Sequence, residues 1–317
     1  MRMVFVAVSI LLVLTGCQKF ESNENQEDNT ITQEFLLNHS DKQQKFKIIS
    51  AYKLIPNYIN EVEKQKVDNE EDYIKLFHNE VIAPVWEDCF ENGEYIAIMD
   101  YYLNHPKKDI EKLKKLSKNM SEEDMEKEVK HALEKSAKLL NGPDTNVCIF
   151  PSISHQDPAK AVNVGKGKIT VLYKETSFKS KLDLASTIAH EYHHSVWTDK
   201  YYDFAINETT LIDVIMFEGK AETFKKMVYP EAEVPEIEKG KEEYYWERLK
   251  DSLNSTDPSF INKVMIGGGG TYPFLYGYGL GYRILDELLD NNDMTVEEWT
   301  EMEPENIIQQ SNFESNF

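Results

Sequence analysis

Positive charge is scarce in this sequence. Its 35 Lys and Arg residues stand against 56 Asp and Glu residues, which gives a formal net charge of −21 at pH 7. A chain this acidic repels the phosphate backbone of nucleic acids, so nucleic acid is excluded as a partner. The 317 residues, of which 41% are hydrophobic, are enough for one or two globular domains with a sizeable core.

The N terminus lacks an apolar run long enough to span a bilayer. The run Val4–Val13 follows Arg2 and is interrupted by Ser9 alone, which is typical of the apolar part of a signal peptide. We therefore assign residues 1–16 to a signal peptide and leave them out of the fold.

The end of this segment carries a lipidation signal. Leu14-Thr15-Gly16-Cys17 resembles the lipobox of bacterial lipoproteins, in which a peptidase cuts before the cysteine and lipid is attached to it. The resemblance implies a protein tethered to the outside of a bacterial cell membrane through Cys17. Residues 17–32 are polar, acidic and rich in Asn, and we read them as a flexible linker. The alternative is an ordinary secretory signal in which Cys17 is incidental.

Cysteine is also scarce, with three residues in the chain. After Cys17, only Cys89 and Cys148 are left, and both lie in apolar surroundings. They could form a disulfide in an oxidising compartment or stay as two buried free thiols, and spacing does not decide between these. Neither cysteine has the spacing of a metal ligand.

The apolar pattern changes along the chain. Residues 33–145 repeat mostly at helical spacing and predict an N-terminal helical region. Residues 146–150 and 165–173 are short, β-rich apolar runs, which predict two strands. We expect an α+β, mostly helical protein. In residues 146–317 we expect a second domain, whose small β-sheet packs over the helix that follows the strands.

Glycine and proline are absent between residues 177 and 197, where a helix is predicted. This stretch contains His190-Glu191-Tyr192-His193-His194, an HExxH motif. Residues four apart share a helix face, so His190 and His194 can bind one zinc ion. Glu191 can then act as general base toward a water bound to that metal. His193 leans toward the same side, so spacing does not exclude it as a ligand.

A second helix carries carboxylates on its apolar stripe. Glu218 and Glu222 align there with Leu211, Val214 and Ile215. A buried unpaired charge is costly, so such carboxylates are paired or metal-bound. We predict Glu218 as the third protein ligand of one Zn²⁺ per chain and Glu222 as a residue that orients a ligating His. Pairing of both with Lys or Arg is the alternative.

These two motifs, HEYHHSVW and FEGKAETF, resemble those of the gluzincin metallopeptidases. Over residues 70–317 the chain is also similar to a bacterial family of predicted zinc-dependent proteases. The resemblance implies a zincin-like metallopeptidase domain over residues 146–317. It also implies His190, His194 and Glu218 as zinc ligands, Glu191 as the base and Glu222 as the orienting acid.

The resemblance also implies a Tyr or His that donates a hydrogen bond to the developing oxyanion. Tyr276, Tyr278 and Tyr282, in the Tyr- and Gly-rich segment 272–283, are the candidates, and Tyr278 is favoured. The glycines around it are expected to let substrate approach. These tyrosines could instead be core residues of a helix. Gly267–Gly270 lacks the Lys-Ser/Thr of a phosphate loop and reads as a hinge or flap.

The expected function is zinc-dependent hydrolysis of a peptide or protein substrate. An alternative from another class is a non-catalytic zinc-binding lipoprotein that acts as an adaptor or chaperone-like module. Glu191 argues against it, because a pure binding site needs no base. A lipoprotein without metal would require both motifs to be accidental.

Overall fold

The structure is a computed structural model that describes residues 30–316, apart from 40–41, 123–124, 159, 203–208, 239 and 268–269. Residues 31–317 form one compact unit. The signal peptide, Cys17 and most of the linker lie outside the described residues. Within the described ranges, no helix combines the length and apolar composition of a membrane span.

In the described chain, strands and helices come in blocks: two strands, six helices, three strands and seven helices. The strands are β1 (Thr32–Asn38), β2 (Gln43–Ile49), β3 (Thr145–Pro151), β4 (Ala161–Gly165) and β5 (Lys168–Tyr173). The helices of the first half are α1 (Ile55–Gln65), α2 (Glu70–Phe77), α3 (Trp86–Cys89), α4 (Asp100–Asn104), α5 (Ile110–Glu122) and α6 (Met125–Leu139). Those of the second half are α7 (Lys181–Tyr201), α8 (Leu211–Val228), α9 (Glu242–Trp246), α10 (Pro258–Met265), α11 (Tyr276–Asn291), α12 (Val296–Glu301) and α13 (Pro304–Ser311). Short 3-10 and π segments lie at Ala51–Leu54, His78–Ile82, Ala83–Val85, Ile96–Met99, Lys250–Ser252 and Phe313–Asn316.

All five strands belong to one mixed sheet of order β1-β2-β3-β5-β4. β2, β3 and β5 run parallel to one another, whereas β1 and β4 are antiparallel edge strands. The prediction of a mostly helical α+β protein with a small sheet is confirmed. Its zincin-like character stays a prediction.

The prediction of helix at the start of the N-terminal region is wrong, because β1 and β2 occupy it. In β2, Gln44, Phe46 and Ile48 are buried and alternate with the half-buried Lys45 and Lys47. A period of two is that of a strand. The strand is stabilised by β3, about a hundred residues further along the chain, and local patterns cannot reveal such a partner. A domain boundary near residue 145 stays a prediction, although strands from both sides of it pair.

The sheet separates two apolar cores. In β3, Val147 and Ile149 point into a core with α6, α7, α8 and α11, whereas Cys148 and Phe150 point into a core with α1–α5. Alternate side chains of a strand face opposite sides of a sheet, so a strand covered on both faces is apolar throughout. Of the two alternatives for the cysteines, a disulfide or two buried thiols, the structure has the disulfide. Cys89 and Cys148 form it in the second core.

Candidate metal centre

The HExxH residues lie in the middle of α7. This helix begins after Ser180, whose side chain accepts a hydrogen bond from the backbone N–H of Asp183. It packs against β4, β5, α6 and α8. Consequently His190, Glu191 and His194 are all buried, with exposed fractions of 8%, 8% and 4%.

The carboxylates come from α8, which packs beside α7. Thr210 and Asp213 form a reciprocal capping box that fixes where α8 begins. Glu218 then lies two turns into the helix and Glu222 one turn further, which puts both carboxylates against α7.

Three side-chain atoms converge between these helices. His190 Nε2 lies 3.0 Å from His194 Nε2 and 3.1 Å from Glu218 Oε2, and His194 Nε2 lies 3.2 Å from the same oxygen. Four-coordinate zinc with bonds of about 2.0–2.1 Å separates its ligand atoms by about 3.3–3.4 Å. The triangle therefore has nearly the size that a tetrahedral metal ion requires.

The chemistry of the three atoms also fits a cation. His190 Nδ1 lies 3.0 Å from Glu222 Oε1, and a proton on Nδ1 leaves Nε2 with a lone pair. Nε2 of His194 and the carboxylate oxygen of Glu218 face the same point, and lone pairs gathered this closely require a cation between them. Among the described residues, this group is the one that meets the geometry of a metal site.

Glu222 is fixed from two sides. It contacts His190 through one carboxylate oxygen and forms a salt bridge with Lys225 through the other. Its side chain is almost fully buried, and these contacts hold its pKa below its ordinary value although burial opposes this. Glu222 thus orients His190, as a carboxylate behind a ligating His does.

Burial and charge act in opposite directions on the ligand residues. Burial lowers the pKa of His190, but Glu218 and Glu222 outweigh it and raise the value to about 10. Burial raises the pKa of Glu218, but His194 and His190 outweigh it and lower the value. For His194 burial dominates, and its pKa falls below the ordinary value. Positive charge at this point is thus strongly favoured, whether a proton or a metal ion supplies it.

Glu191 has the pKa of an acid–base group. Burial is the main cause that raises its pKa to about 7, and Glu218 acts in the same direction, while the charge of His190 opposes both. A hydrogen bond from the backbone N–H of Asn163, in β4, also lowers it and holds the carboxylate toward the edge strand. A pKa near neutrality suits a group that takes up and releases a proton in turn.

Of the three candidate tyrosines, Tyr278 lies at the metal centre. Its ring stacks at 6.4 Å from that of His190, and its hydroxyl interacts with Glu218, whose charge is the main cause of its raised pKa. Tyr276 is instead buried in a cluster with Tyr245 and Tyr272. Tyr282 interacts with Asp286. Tyr276 and Tyr282 therefore contact residues other than the ligand cluster.

The glycines around Tyr278 serve helix packing, which corrects the expectation that they let substrate approach. A Cβ on Gly281 would lie 2.2 Å from the carbonyl oxygen of Ile215, and one on Gly219 would lie 2.3 Å from the carbonyl carbon of Gly281. α8 and α11 therefore cross in close contact. Because Gly219 follows Glu218 and Gly281 is one turn after Tyr278, this crossing brings Tyr278 to the ligand cluster. Gly268 and Gly269, of the expected hinge or flap, lie outside the described residues.

His193 faces away from the cluster. Its Nε2 lies 3.2 Å from Thr300 Oγ1, its ring stacks on Trp299, and burial lowers its pKa well below the ordinary value. Spacing alone left His193 open as a metal ligand. The structure excludes it, because its ring packs into the core behind the metal centre.

Sequence reasoning missed three contributors to this centre. The contact of Lys225 with Glu222 could have been predicted, because Lys225 lies three residues after Glu222 and so on the same helix face. Phe217, whose ring stacks on His194 at a centroid distance of 3.9 Å, had none beyond its position beside Glu218. Asn163 acts through its backbone in a strand that was not predicted, so its side chain could not reveal the role.

Comparison with known proteins agrees with this centre. Residues 125–309 match a family model described as "Predicted Zn-dependent protease (DUF2268)", and these residues are more than half of the chain. The matched range includes α7, α8 and α11, and hence all the residues discussed above. No curated protein and no solved structure matches the chain. The chain belongs to this family of predicted Zn-dependent proteases.

Proposed function

We propose that this protein is a zinc-dependent peptidase of the gluzincin type, with one Zn²⁺ per chain bound by His190, His194 and Glu218. The observation that carries the proposal is the convergence of two Nε2 atoms and one carboxylate oxygen within 3.0–3.2 Å of one another. Three protein ligands leave a fourth position for water or substrate, as in catalytic zinc sites.

The buried carboxylate beside the ligands supports catalysis rather than metal storage. Zinc bound there would lower the pKa of a coordinated water and polarise the scissile carbonyl. Glu191 takes the proton from the attacking water and later donates it to the leaving amine. The adaptor alternative gives no reason for a buried carboxylate beside the ligands.

Tyr278 is proposed as the donor to the developing oxyanion. Its raised pKa keeps the hydroxyl protonated, so that it can donate a hydrogen bond throughout the reaction. Without substrate the hydroxyl interacts with Glu218, and it turns to the substrate carbonyl when peptide binds.

The outer edge of β4, which faces away from β5, suits an extended peptide. Leu172 N–H donates to the carbonyl of Lys160, and in an antiparallel ladder the pairs alternate, so Ala161 and Asn163 direct their backbone groups away from β5. A peptide paired there would lie beside Glu191, which already accepts the N–H of Asn163. Main-chain pairing of this kind binds peptides with little dependence on sequence.

The same proposal includes the location. The apolar segment Val4–Val13 and the cysteine in Leu14-Thr15-Gly16-Cys17 support a lipoprotein that is anchored by Cys17 on the extracytoplasmic side of a bacterial membrane. Its net charge of −21 speaks against nucleic acid as a partner.

Metal analysis with one pair of variants tests the proposal. We expect about one zinc per chain in the purified protein and in Glu191→Gln, and loss of zinc in His190→Ala. Peptide hydrolysis should fall at least about 1,000-fold in Glu191→Gln, because the proton acceptor is lost while metal is retained.

The outcomes distinguish the peptidase from the adaptor and from a protein that binds no metal. Zinc without any hydrolysis of a peptide library would favour the adaptor alternative. Protein that takes up no zinc even after reconstitution would overturn the metallopeptidase assignment.

A further inference from the structure

An apolar cleft lies next to the metal centre. Its volume is about 410 Å³, within the range of about 300–1,000 Å³ that is typical of ligand sites. It lies between the C-terminal end of α7, the N-terminal half of α8 and the segments around residues 95 and 302. Its apolar and aromatic lining includes Tyr95, Ile98, Trp197, Tyr201, Val214 and Phe217.

The cleft and the metal centre share a wall, the ring of Phe217. This ring stacks on the imidazole of His194, with centroids 3.9 Å apart, and it also packs edge-on against Trp197 at 5.1 Å. Trp197 and Phe217 both line the cleft. A ligand in the cleft therefore lies directly behind the side chain that supports a metal ligand.

The helices give the distance from the centre to the cleft. Trp197 follows His194 by three residues and Val214 precedes Glu218 by four, so along the helix axes the cleft begins about 4.5–6 Å from two proposed ligands. An extended peptide advances about 3.3 Å per residue. The cleft is thus within reach of a side chain one to three residues from a bond that is cut at the metal.

The backbone of β4 leads to the cleft. Tyr95 N–H donates to the carbonyl of Val164, so the segment with Tyr95 covers the edge of β4 immediately after Asn163. A peptide that follows the outer edge beside Ala161 and Asn163 must leave it at Tyr95. Because Tyr95 lines the cleft, the peptide leaves the strand at the cleft mouth.

Among the described residues that line the cleft, most of the charged ones are acidic. Glu94, Asp213, Glu301 and Glu303 contribute to its lining. The cation among its described lining residues, Lys220, is buried and donates to the carbonyl oxygens of Thr300 and Met302. The cleft thus combines an apolar interior with an acidic border, and acidic groups on a ligand are repelled.

We propose that this cleft is a specificity site, which takes a bulky apolar or aromatic side chain of the peptide substrate, one to three residues from the cleaved bond and in a neutral or basic sequence. The inference rests on the proposed peptidase function and names its substrate class. The acidic border disfavours the other occupant of suitable size, a fatty acyl chain with a carboxylate head.

Cleavage of a random decapeptide library, with products identified by mass spectrometry, measures the preference. At one position near the cut, Phe, Tyr, Trp or Leu should be preferred over Ala by about 10- to 200-fold in kcat/KM. Acidic residues next to that position should be selected against. A library cut without preference for large apolar residues at any position near the cut would overturn the inference.

Filling the cleft should remove this preference. Val214→Trp puts an indole into it, whereas Met227→Trp adds the same side chain on the same helix at a residue that is 43% exposed and does not line the cleft. The preference should disappear only in the first variant, with zinc content unchanged in both. An unchanged preference in a folded, zinc-loaded Val214→Trp would contradict the proposal.

A surface pair of variants guards against misfolding of Val214→Trp. Ile98 and Ile266 are 49% and 40% exposed, and only Ile98 lines the cleft. Ile98→Glu adds a charge at the apolar lining and should lower kcat/KM for the preferred peptides about 10-fold, while Ile266→Glu should not. Equal behaviour of the two variants would contradict the proposal.

A binding measurement separates this inference from the peptidase proposal. Zinc-loaded Glu191→Gln is titrated with N-acetyl-naphthylalanine amide by isothermal titration calorimetry, with N-acetyl-alanine amide as control. Saturable binding of the first amide alone, lost in a Glu191→Gln/Val214→Trp double variant, supports the cleft site even if no peptide is cleaved. Binding of dodecanoate instead of the aromatic amide would identify a lipid site and overturn the proposal.

Discussion

The two faces of the sheet both bury charge, but they deal with it differently. On one face, the buried His190, Glu191 and Glu222 and the half-buried Glu218 lie together between α7 and α8. On the other face, Lys107 is buried with an exposed fraction of 1%, and the charge of the buried Asp157 acts on it. Burial by itself is therefore a poor sign of function, and the partners of each charge are more informative.

Lys107 is satisfied by groups that cannot react. Its Nζ donates to the carbonyl oxygens of Tyr102 and His105 and lies 4.4 Å from the centre of the Tyr102 ring. Backbone carbonyls and an aromatic face stabilise a cation but cannot exchange a proton with it. Lys107 therefore holds the end of α4 in place and has a structural role.

The metal centre differs because its buried groups face one another. His190 Nε2, His194 Nε2 and Glu218 Oε2 meet at one point, where they need a cation, and Glu191 is perturbed by the same charges. Convergence of groups that compete for one cation or proton, rather than burial, distinguishes a chemical site from a structural ion. Variants on the two faces should consequently have separable effects.

The largest expected effect on stability is at the disulfide of the second face. Cys89 and Cys148 are 59 residues apart in sequence. A disulfide that closes a loop of this size lowers the entropy of the unfolded chain, which stabilises the folded state by about 4 kcal/mol. We expect Cys89→Ala/Cys148→Ala to lower the free energy of unfolding by about that amount, measured by urea denaturation.

Zinc content of the folded variant should stay at the wild-type value, because the disulfide and the metal centre lie on opposite faces. Reduced wild-type protein is the matched control and should unfold at the same urea concentration. Equal stability of oxidised and reduced wild type would show that the two thiols do not pair in solution.

The next effect concerns Tyr278 and should appear in activity alone. Tyr278→Phe removes the proposed hydrogen bond to the oxyanion, which corresponds to a fall of about 100-fold in kcat with little change in KM. Tyr276→Phe is the control, since Tyr276 Oη has no hydrogen-bond partner among the described residues. A kcat for Tyr278→Phe within twofold of wild type would exclude Tyr278 as the donor.

The smallest effect is a pH dependence that Lys107 should impose on stability. Burial lowers its pKa to about 8 from an ordinary value of 10.5, so above pH 8 the unfolded chain binds more protons than the folded one. Stability attributable to Lys107 therefore rises with pH, by about 2 kcal/mol between pH 7 and pH 9.5.

The comparison of wild type with Lys107→Met isolates this contribution. The gain in unfolding free energy from pH 7 to pH 9.5 should be smaller in Lys107→Met by about 2 kcal/mol, because all other titrating groups are shared. Identical pH profiles would mean that Lys107 keeps its ordinary pKa in the folded protein.

Short-range patterns carried the prediction of α7 and α8. Apolar residues at spacings of three and four predicted both helices, and the same spacing put His190 beside His194 and both carboxylates on the apolar stripe of α8. Each of these inferences depends on residues within one or two turns, where helix geometry alone fixes which side chains are neighbours.

Long-range patterns could not be predicted in this way. β2 is a strand because β3 pairs with it, and Cys89 meets Cys148 because α3 packs against the same strand. Nothing near these residues in the sequence specifies the partner, since pairing between distant segments depends on the topology of the whole chain.

The sequence by itself determined the composition of the proposed metal centre: two histidines and a glutamate base on one helix, two carboxylates on the next, and an acidic chain around them. Only the tertiary structure decided that His193 turns away, that Tyr278 rather than Tyr276 or Tyr282 reaches the centre, and that β4 holds Glu191. The physical reason is that a helix fixes its own neighbours through backbone hydrogen bonds, whereas contacts between elements depend on how closely they pack. Here one such contact, the crossing of α8 and α11 at Gly219 and Gly281, brings the tyrosine to the proposed metal ligands.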